Sequence, residues 1–302
     1  MNARTALHLA LLTLILAGLL TACGPKASPT PSPGPTVPTA QRGGSLTVAV
    51  AADVDGLDPH KTVAAATFQI TRNLYDTLVQ VDPQSRIEPD LATSWETSAD
   101  GLKWTFHLRD GASFHNGRAM TAADVKYSFE RILDPDTASP RAKDYQIIAA
   151  IETPDDHTVV FTLSQPQAAF LSNLAYGWTA IVPQEAAETL RDHPVGTGPF
   201  QFVEWVPDSH VKLRRFEKYF LADVPYLDEV TFRVITDPAA RLISLKTGEV
   251  DVVPEVPAQE IAGIKEEPGI KVIQQPFNGI QLLAINNARA PFDDLRVRQA
   301  LN

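Results

Sequence analysis

Few residues in this 302-residue chain are spaced for chemistry. Asp53, Asp55 and Asp58 cluster, and carboxylate oxygens suit a hard cation. Their spacing lacks the pattern of a calcium-binding loop, and Asp55-Gly56 and Asp58-Pro59 are turn formers, which is the reading adopted. His60, His107, His115, His157, His193 and His210 are scattered without a ligand-like pair. Gly196-Thr197-Gly198 looks like part of a phosphate loop, but no Lys follows and Pro199 removes a backbone donor, so it reads as a structural turn. The chain has no HExxH, no GxSxG and no P-loop. Without a nucleophile–base pair or a metal set, the sequence argues against an enzyme, and no cofactor or metal is implied. Two features could instead meet a ligand. Tyr176 and Trp178 flank Gly177 and either stack on a flat group or fill a core. A helix starting near Ala64 would leave the N–H groups of residues 62–65, Val63, Ala64 and Ala65 among them, as unpaired donors.

The elements that must position these groups are readable from periodicity. Leu46, Val48 and Val50 alternate with small or polar residues and predict a first strand. Its C-terminal end runs into the Asp-rich loop and then into a helix over 64–76, and in α/β sheets ligands collect at such loops. Residues 91–130 are the most patterned segment. Leu102, Trp104, Phe106 and Leu108 alternate with polar residues in a half-buried strand, so His107 falls on its outer face. Thr121 to Asp124 is an acidic capping box, and Val125, Phe129 and Ile132 follow at helical spacing. Further strands are expected at 79–81, 159–163, 181–183, 200–202, 211–213, 230–234, 249–253 and 277–285. Short helices are expected at 167–175, after Asp237 and after Pro291. The order is strand, helix, a largely β insertion, then strands and a helix again: a mixed α/β (α+β) fold with one subdomain inserted in another. The chain stops inside its last expected helix, which reads as a C-terminal truncation.

At 44% hydrophobic, the chain can fill one large core or two modest ones. Its net charge is −10, and the first 40 residues hold only two basic residues and no acid, so the remainder is more acidic still. Such a surface is a poor partner for nucleic acid, which needs clustered Lys and Arg. The single cysteine, Cys23, excludes an intrachain disulfide. It ends an apolar run over 6–20, shorter than the roughly 20 residues of a membrane helix, and Leu20-Thr21-Ala22-Cys23 resembles a bacterial lipobox. Residues 1–22 are then a lipoprotein signal peptide, with Cys23 the lipidated N-terminus and 23–42 a Pro-rich tether. The expected place is the outer face of a membrane, held by the lipid anchor.

The segment LATSWE…DGLKWTFHLRDGASFHNG…TAADVKYSFERI resembles the signature of the peptide/nickel-binding family of ABC-transporter extracellular solute-binding proteins, family 5. GGSLTVAV, LDPHK, LYDTLV, DDHTVVFTL, VGTGPFQF and PFDDLRVRQAL look like its other landmarks, in its order, so the resemblance covers everything from Gly43 on. It implies a periplasmic-binding-protein-like bilobal fold. Residues 43–75 and 180–275 would form the first-lobe domain, 76–179 an inserted second domain, and 276–302 the start of a truncated second lobe. It also implies a receptor that captures di- or oligopeptides and delivers them to the permease subunits of an ABC importer. The backbone at Val63, Ala64 and Ala65 would pair with the peptide like an added strand, and Tyr176, with Trp178 nearby, would face the cleft. The alternatives are a nickel chelate or an oligosaccharide on the same fold, or a truncated fragment without function.

Overall fold

The computed structural model describes residues 41–274 and 284–301. Strand β1 (Ser45–Val50) leads through the Asp-rich loop to helix α1 (Ala65–Thr71), then to the short strands β2 (Val79–Val81) and β3 (Ile87–Pro89). Next come β4 (Ala92–Thr97), β5 (Lys103–Leu108), helix α2 (Ala122–Leu133), the single turn α3 (Ala142–Tyr145), β6 (Ile148–Asp155), β7 (Thr158–Leu163) and the single turn α4 (Phe170–Asn173). The chain continues through β8 (Phe200–Val206), β9 (His210–Arg215), β10 (Glu229–Val234), α5 (Pro238–Thr247), α6 (Ile261–Lys265) and α7 (Leu295–Gln299). None of the described helices is long and apolar enough to cross a membrane. The signal peptide and all but the last two residues of the tether lie outside the described residues.

Two four-stranded sheets carry the fold. One has the order β1-β10-β9-β8, with β1 parallel to β10 and the rest antiparallel. The other, β4-β5-β7-β6, is antiparallel throughout and sets Trp104 opposite Phe161 and Phe106 opposite Val159. Each sheet has its own core. Phe106, Phe114, Phe129, Tyr145, Phe161 and Phe170 centre the first, between the antiparallel sheet and α2. Val50, Leu57, Leu74, Phe200, Leu213 and Phe232 centre the second, on the mixed sheet. Helix α2 lies on the first core because Val125, Phe129 and Ile132 fall on one face, and it starts where Asp124 accepts a 2.9 Å bond from the Thr121 N–H. The seam between the cores is threaded by residues 180–182. This segment is extended, so side chains alternate: Ala180 and Val182 join the second core and Ile181 the first.

Several expected elements are shorter than their patterns suggest, and each has a local reason. Residues 181–183 are extended but form no ladder, because Ile181 N–H bonds Asp76 O at 3.1 Å and Val182 N–H bonds Ser128 Oγ at 2.9 Å. The helix expected over 64–76 ends at Thr71: the N–H groups of Asn73 and Leu74 turn back to the carbonyls of Ile70 and Thr71, three residues earlier, and their own carbonyls accept from Phe200 and Gly198. The segment expected as a strand at 249–253 makes one parallel bridge, Val48 to Val252, beside β1. The helix expected at 167–175 is a single turn. The strand expected at 277–285 lies outside the described residues except for its last two positions.

Candidate functional site

The three aspartates of the first loop do three separate jobs. Asp53 accepts from Trp205 Nε1 at 3.1 Å and from the Asp208 N–H at 2.7 Å. Asp55 accepts from the hydroxyls of Thr62 and Thr67 at 2.8 and 2.7 Å. Asp58 accepts two bonds from Arg131 at 3.0 and 2.6 Å and a third from the His60 N–H at 3.0 Å. The carboxylates therefore tie the loop to a β-hairpin, to α1 and to α2, and none is left to converge on a common point.

This loop sets the start of α1. Thr62 Oγ1, held by Asp55, accepts the Ala64 N–H at 3.0 Å. Of the expected donors, Ala64 is thus paired internally, while the N–H groups of Val63 and Ala65 have no partner among the described residues. Val63 is 56% exposed. One turn further on, Phe68 packs edge-on to Trp178, with ring centres 5.7 Å apart. A Cβ on Gly177 would lie 2.9 Å from the Phe68 ring, so glycine is required for this approach. The Val63–Ala65 backbone and the aromatic loop are thereby linked through Phe68.

Within that loop the two aromatics differ. Tyr176 lies parallel to Trp178, with centroids 4.3 Å apart and planes inclined by 13°. The guanidinium of Arg141 lies 4.2 Å from the Trp178 ring centre. Two groups this close to one ring cannot share a face, so the indole is sandwiched. Its Nε1–H is also spent, on Tyr145 Oη at 2.9 Å. Trp178 therefore has no free face to offer and acts as the backing for Tyr176. Tyr176 is 49% exposed and keeps its outer face open.

Residues outside the expected set do the structural work. Arg131 lies on α2 between Phe129 and Ile132, and its side chain is only 7% exposed. Besides Asp58, it donates to His60 Nδ1 at 2.9 Å. An arginine can only donate, so Nδ1 accepts and the His60 proton sits on Nε2, facing Ala180 O at 2.9 Å. Burial, then the Arg131 charge, lowers the His60 pKa to about 4. On its helix Arg131 falls beside the stripe of Val125, Phe129 and Ile132, in a row with Asp124 and Ser128, so residue spacing does not single it out. A second buried group lies nearby on the chain. Asp76 accepts from Thr197 Oγ1 at 2.9 Å and from the Tyr219 hydroxyl at 3.2 Å, and burial raises its pKa to about 6. Asp90, which accepts the Thr77 N–H at 3.1 Å, is pushed well up by burial and by Asp76. The Gly196-Thr197-Gly198 turn serves this place. A Cβ on Gly198 would meet the Leu74 carbonyl carbon at 2.5 Å, so the glycines let two backbones touch. His107 is exposed, as the strand alternation requires.

Comparison with known proteins places this geometry in a family. A glutathione-binding protein, GsiB, from Pectobacterium atrosepticum is 32% identical over 259 residues, covering 84% of this chain and 50% of that one. The solved structure of the ABC transporter-associated periplasmic binding protein DppA from Helicobacter pylori, in complex with the peptide STSA, superposes with a TM-score of 0.69 at 36% identity. It covers 76% of this chain and 50% of DppA. NikZ from Campylobacter jejuni in complex with Ni(L-His) superposes with a TM-score of 0.75 at 26% identity, over 85% of this chain and 52% of NikZ. The chain spans about half the length of the relatives it matches. The family model for the middle part of the bacterial extracellular solute-binding proteins, family 5, matches residues 86–302, and the mixed α/β fold is that of its bilobal members; the chain belongs to this family.

Proposed function

We propose that this chain supplies a peptide-facing wall of an extracytoplasmic solute-binding protein that captures di- or oligopeptides and hands them to the permease of an ABC importer. The observation that carries the reading is the pair of open backbone donors at Val63 and Ala65, joined through Phe68 to the exposed face of Tyr176. Backbone donors at the edge of a site bind the repeating part of a peptide whatever its side chains, as an added strand does. A flat ring beside them adds contact area at little entropic cost. The peptide-bound DppA neighbour and the glutathione-binding relative support the same class.

In this reading residues 43–75 and 180–275 form the first-lobe domain, 76–179 the inserted one, and the second lobe begins near residue 276. The two separate cores, meeting at residues 180–182, support that division. Cys23 carries the lipid and the residues up to 42 are the tether, which sets the protein on the outer face of the membrane. A tryptic peptide pool titrated calorimetrically into the full chain is expected to give saturable heat. The likeness to NikZ favours one competing reading, a nickel chelate. Heat with Ni(L-His) and none with millimolar peptide would replace the peptide reading by that one. Cys23→Ala is expected to release the protein from the membrane fraction, and retention there would sink the anchor.

A further inference from the structure

Among the described residues two arginines are buried, and the fold treats them differently. Arg131 pairs with Asp58. Arg241, on α5, is 6% exposed and has no carboxylate at ion-pair distance among the described residues. Its Nη1 donates to the carbonyls of Ile235 and Thr236 at 2.8 and 3.0 Å, which ties down the turn between β10 and α5. Those bonds account for a donor at this place but not for a charge. A buried cation without a counter-ion is costly, and carbonyl dipoles offset only part of that cost. Nε and Nη2 have no hydrogen-bond partner among the described residues, yet they are not sealed from the surface.

Arg241 lines a cavity of about 190 Å³, together with Val50, Ala65, Ala66, Gln69 and Glu255 among others. Its place follows from the parallel pair of strands. β1 runs beside β10, and the chain passes from β1 to α1 and from β10 to α5. The cavity lies between those two exits, beyond the carboxyl ends of both strands, where α/β sheets gather ligands. It also adjoins Ala65, whose N–H is one of the two open donors of the wall. A carboxylate suits it: two oxygens match the Nε–Nη2 edge of the guanidinium, and the Gln69 amide can donate into the same space. Glu255 is the one acid in the lining; it is exposed and makes no ion pair with Arg241. We infer that Arg241 and Gln69 form a carboxylate subsite at the Ala65 end of the wall, filled by the terminal carboxylate or an acidic side chain of the bound peptide. This rests on the peptide reading above and narrows it to ligands with a carboxylate where they pass Ala65.

The experiment is a calorimetric titration of the full chain with trialanine and its C-terminal amide, and with amidated tripeptides carrying one Glu against their Gln counterparts. One carboxylate is expected to tighten binding about tenfold or more over its neutral partner, the size of a hydrogen bond to a charged group. A loss on amidation assigns the terminal carboxylate, and a Glu–Gln difference assigns a side chain. Arg241→Gln should bring the ratio to one. Gln69→Glu should do the same by placing a carboxylate beside Arg241 within the protein, and it leaves the bonds to Ile235 and Thr236 intact should Arg241→Gln fail to fold. Equal affinity for every acid and its neutral partner overturns the subsite and leaves the peptide reading standing. A ratio that survives either substitution also overturns it, because the arginine would then only hold its turn. Binding of no peptide by the unaltered chain removes the peptide reading and this inference with it.

Discussion

Replacing Arg131 by methionine would leave the Asp58 carboxylate stranded between the two cores. Both side chains are nearly inaccessible, at 7% and 6% exposure, and Arg131 meets the two carboxylate oxygens at 3.0 and 2.6 Å. Charge centres about 4 Å apart attract by about 4 kcal/mol at an effective dielectric of about 20. In the variant Asp58 keeps, among the described residues, only the His60 N–H as a charge-stabilising donor, and His60 Nδ1 loses its own donor. Removing one partner of a buried pair costs about 3–5 kcal/mol, because the other stays desolvated. In urea unfolding followed by tryptophan fluorescence, with a slope of roughly 2–3 kcal/mol per molar, the midpoint should fall by about 1–2 M. Adding Asp58→Leu should restore at least about 2 kcal/mol, since no charge is then left buried. A single variant that costs under about 1 kcal/mol would show the pair behaving as a solvated surface bridge, and the reasoning would fail.

Three further outcomes can be measured on the same instrument. His60 takes a proton near pH 6.5 when unfolded and near 4 when folded, so the unfolded state binds more protons in between. Its contribution should therefore fall by about 2 kcal/mol from pH 7 to pH 5, and His60→Gln should remove that part of the slope. Asp90 has the opposite sign: its folded pKa lies above the unfolded one, so its ionised form is penalised as pH rises. Asp90→Asn should raise the urea midpoint at pH 8, with a gain that shrinks as pH falls toward 4; a gain independent of pH would contradict this. Gly198→Ala would force its Cβ to 2.5 Å from the Leu74 carbonyl carbon and 2.7 Å from Asn73 O. A loss of about 3 kcal/mol is expected in the melting curve, and an unchanged curve would show that the two backbones can part.

Much of the fold was legible because a half-buried strand writes itself as alternation. Lys103–Leu108 and Thr158–Leu163 are such strands, and they pair with each other. The capping box at Thr121 was legible because its chemistry is local. What could not be read was where distant backbone intervenes. Just after helix α1 a glycine turn more than a hundred residues on takes the Leu74 carbonyl, and residues 181–183 miss a ladder because a serine hydroxyl takes one donor. Around the candidate site, residue type pointed to the aromatics but not to their division of labour. Trp178 and Tyr176 are equivalent in a sequence, and only Arg141, over thirty positions earlier, makes one the backing and leaves the other open. Arg131 was hidden for a similar reason. Its partner Asp58 is 73 positions away, and on its helix it resembles any solvated arginine.

The bond from Ile181 N–H to Asp76 O has a consequence for how this chain can be rearranged. It places the point where the chain leaves for the antiparallel sheet beside the point where it returns. A stretch whose ends touch can be lifted out and rejoined by a link of one or two residues, or moved whole into another loop, without dragging the flanking strands apart. The remaining mixed-sheet body would then uncover Asp58 and the side chain of Ile181, which packs into the other core. A transplant would have to replace both, supplying a cation for the first and an apolar face for the second.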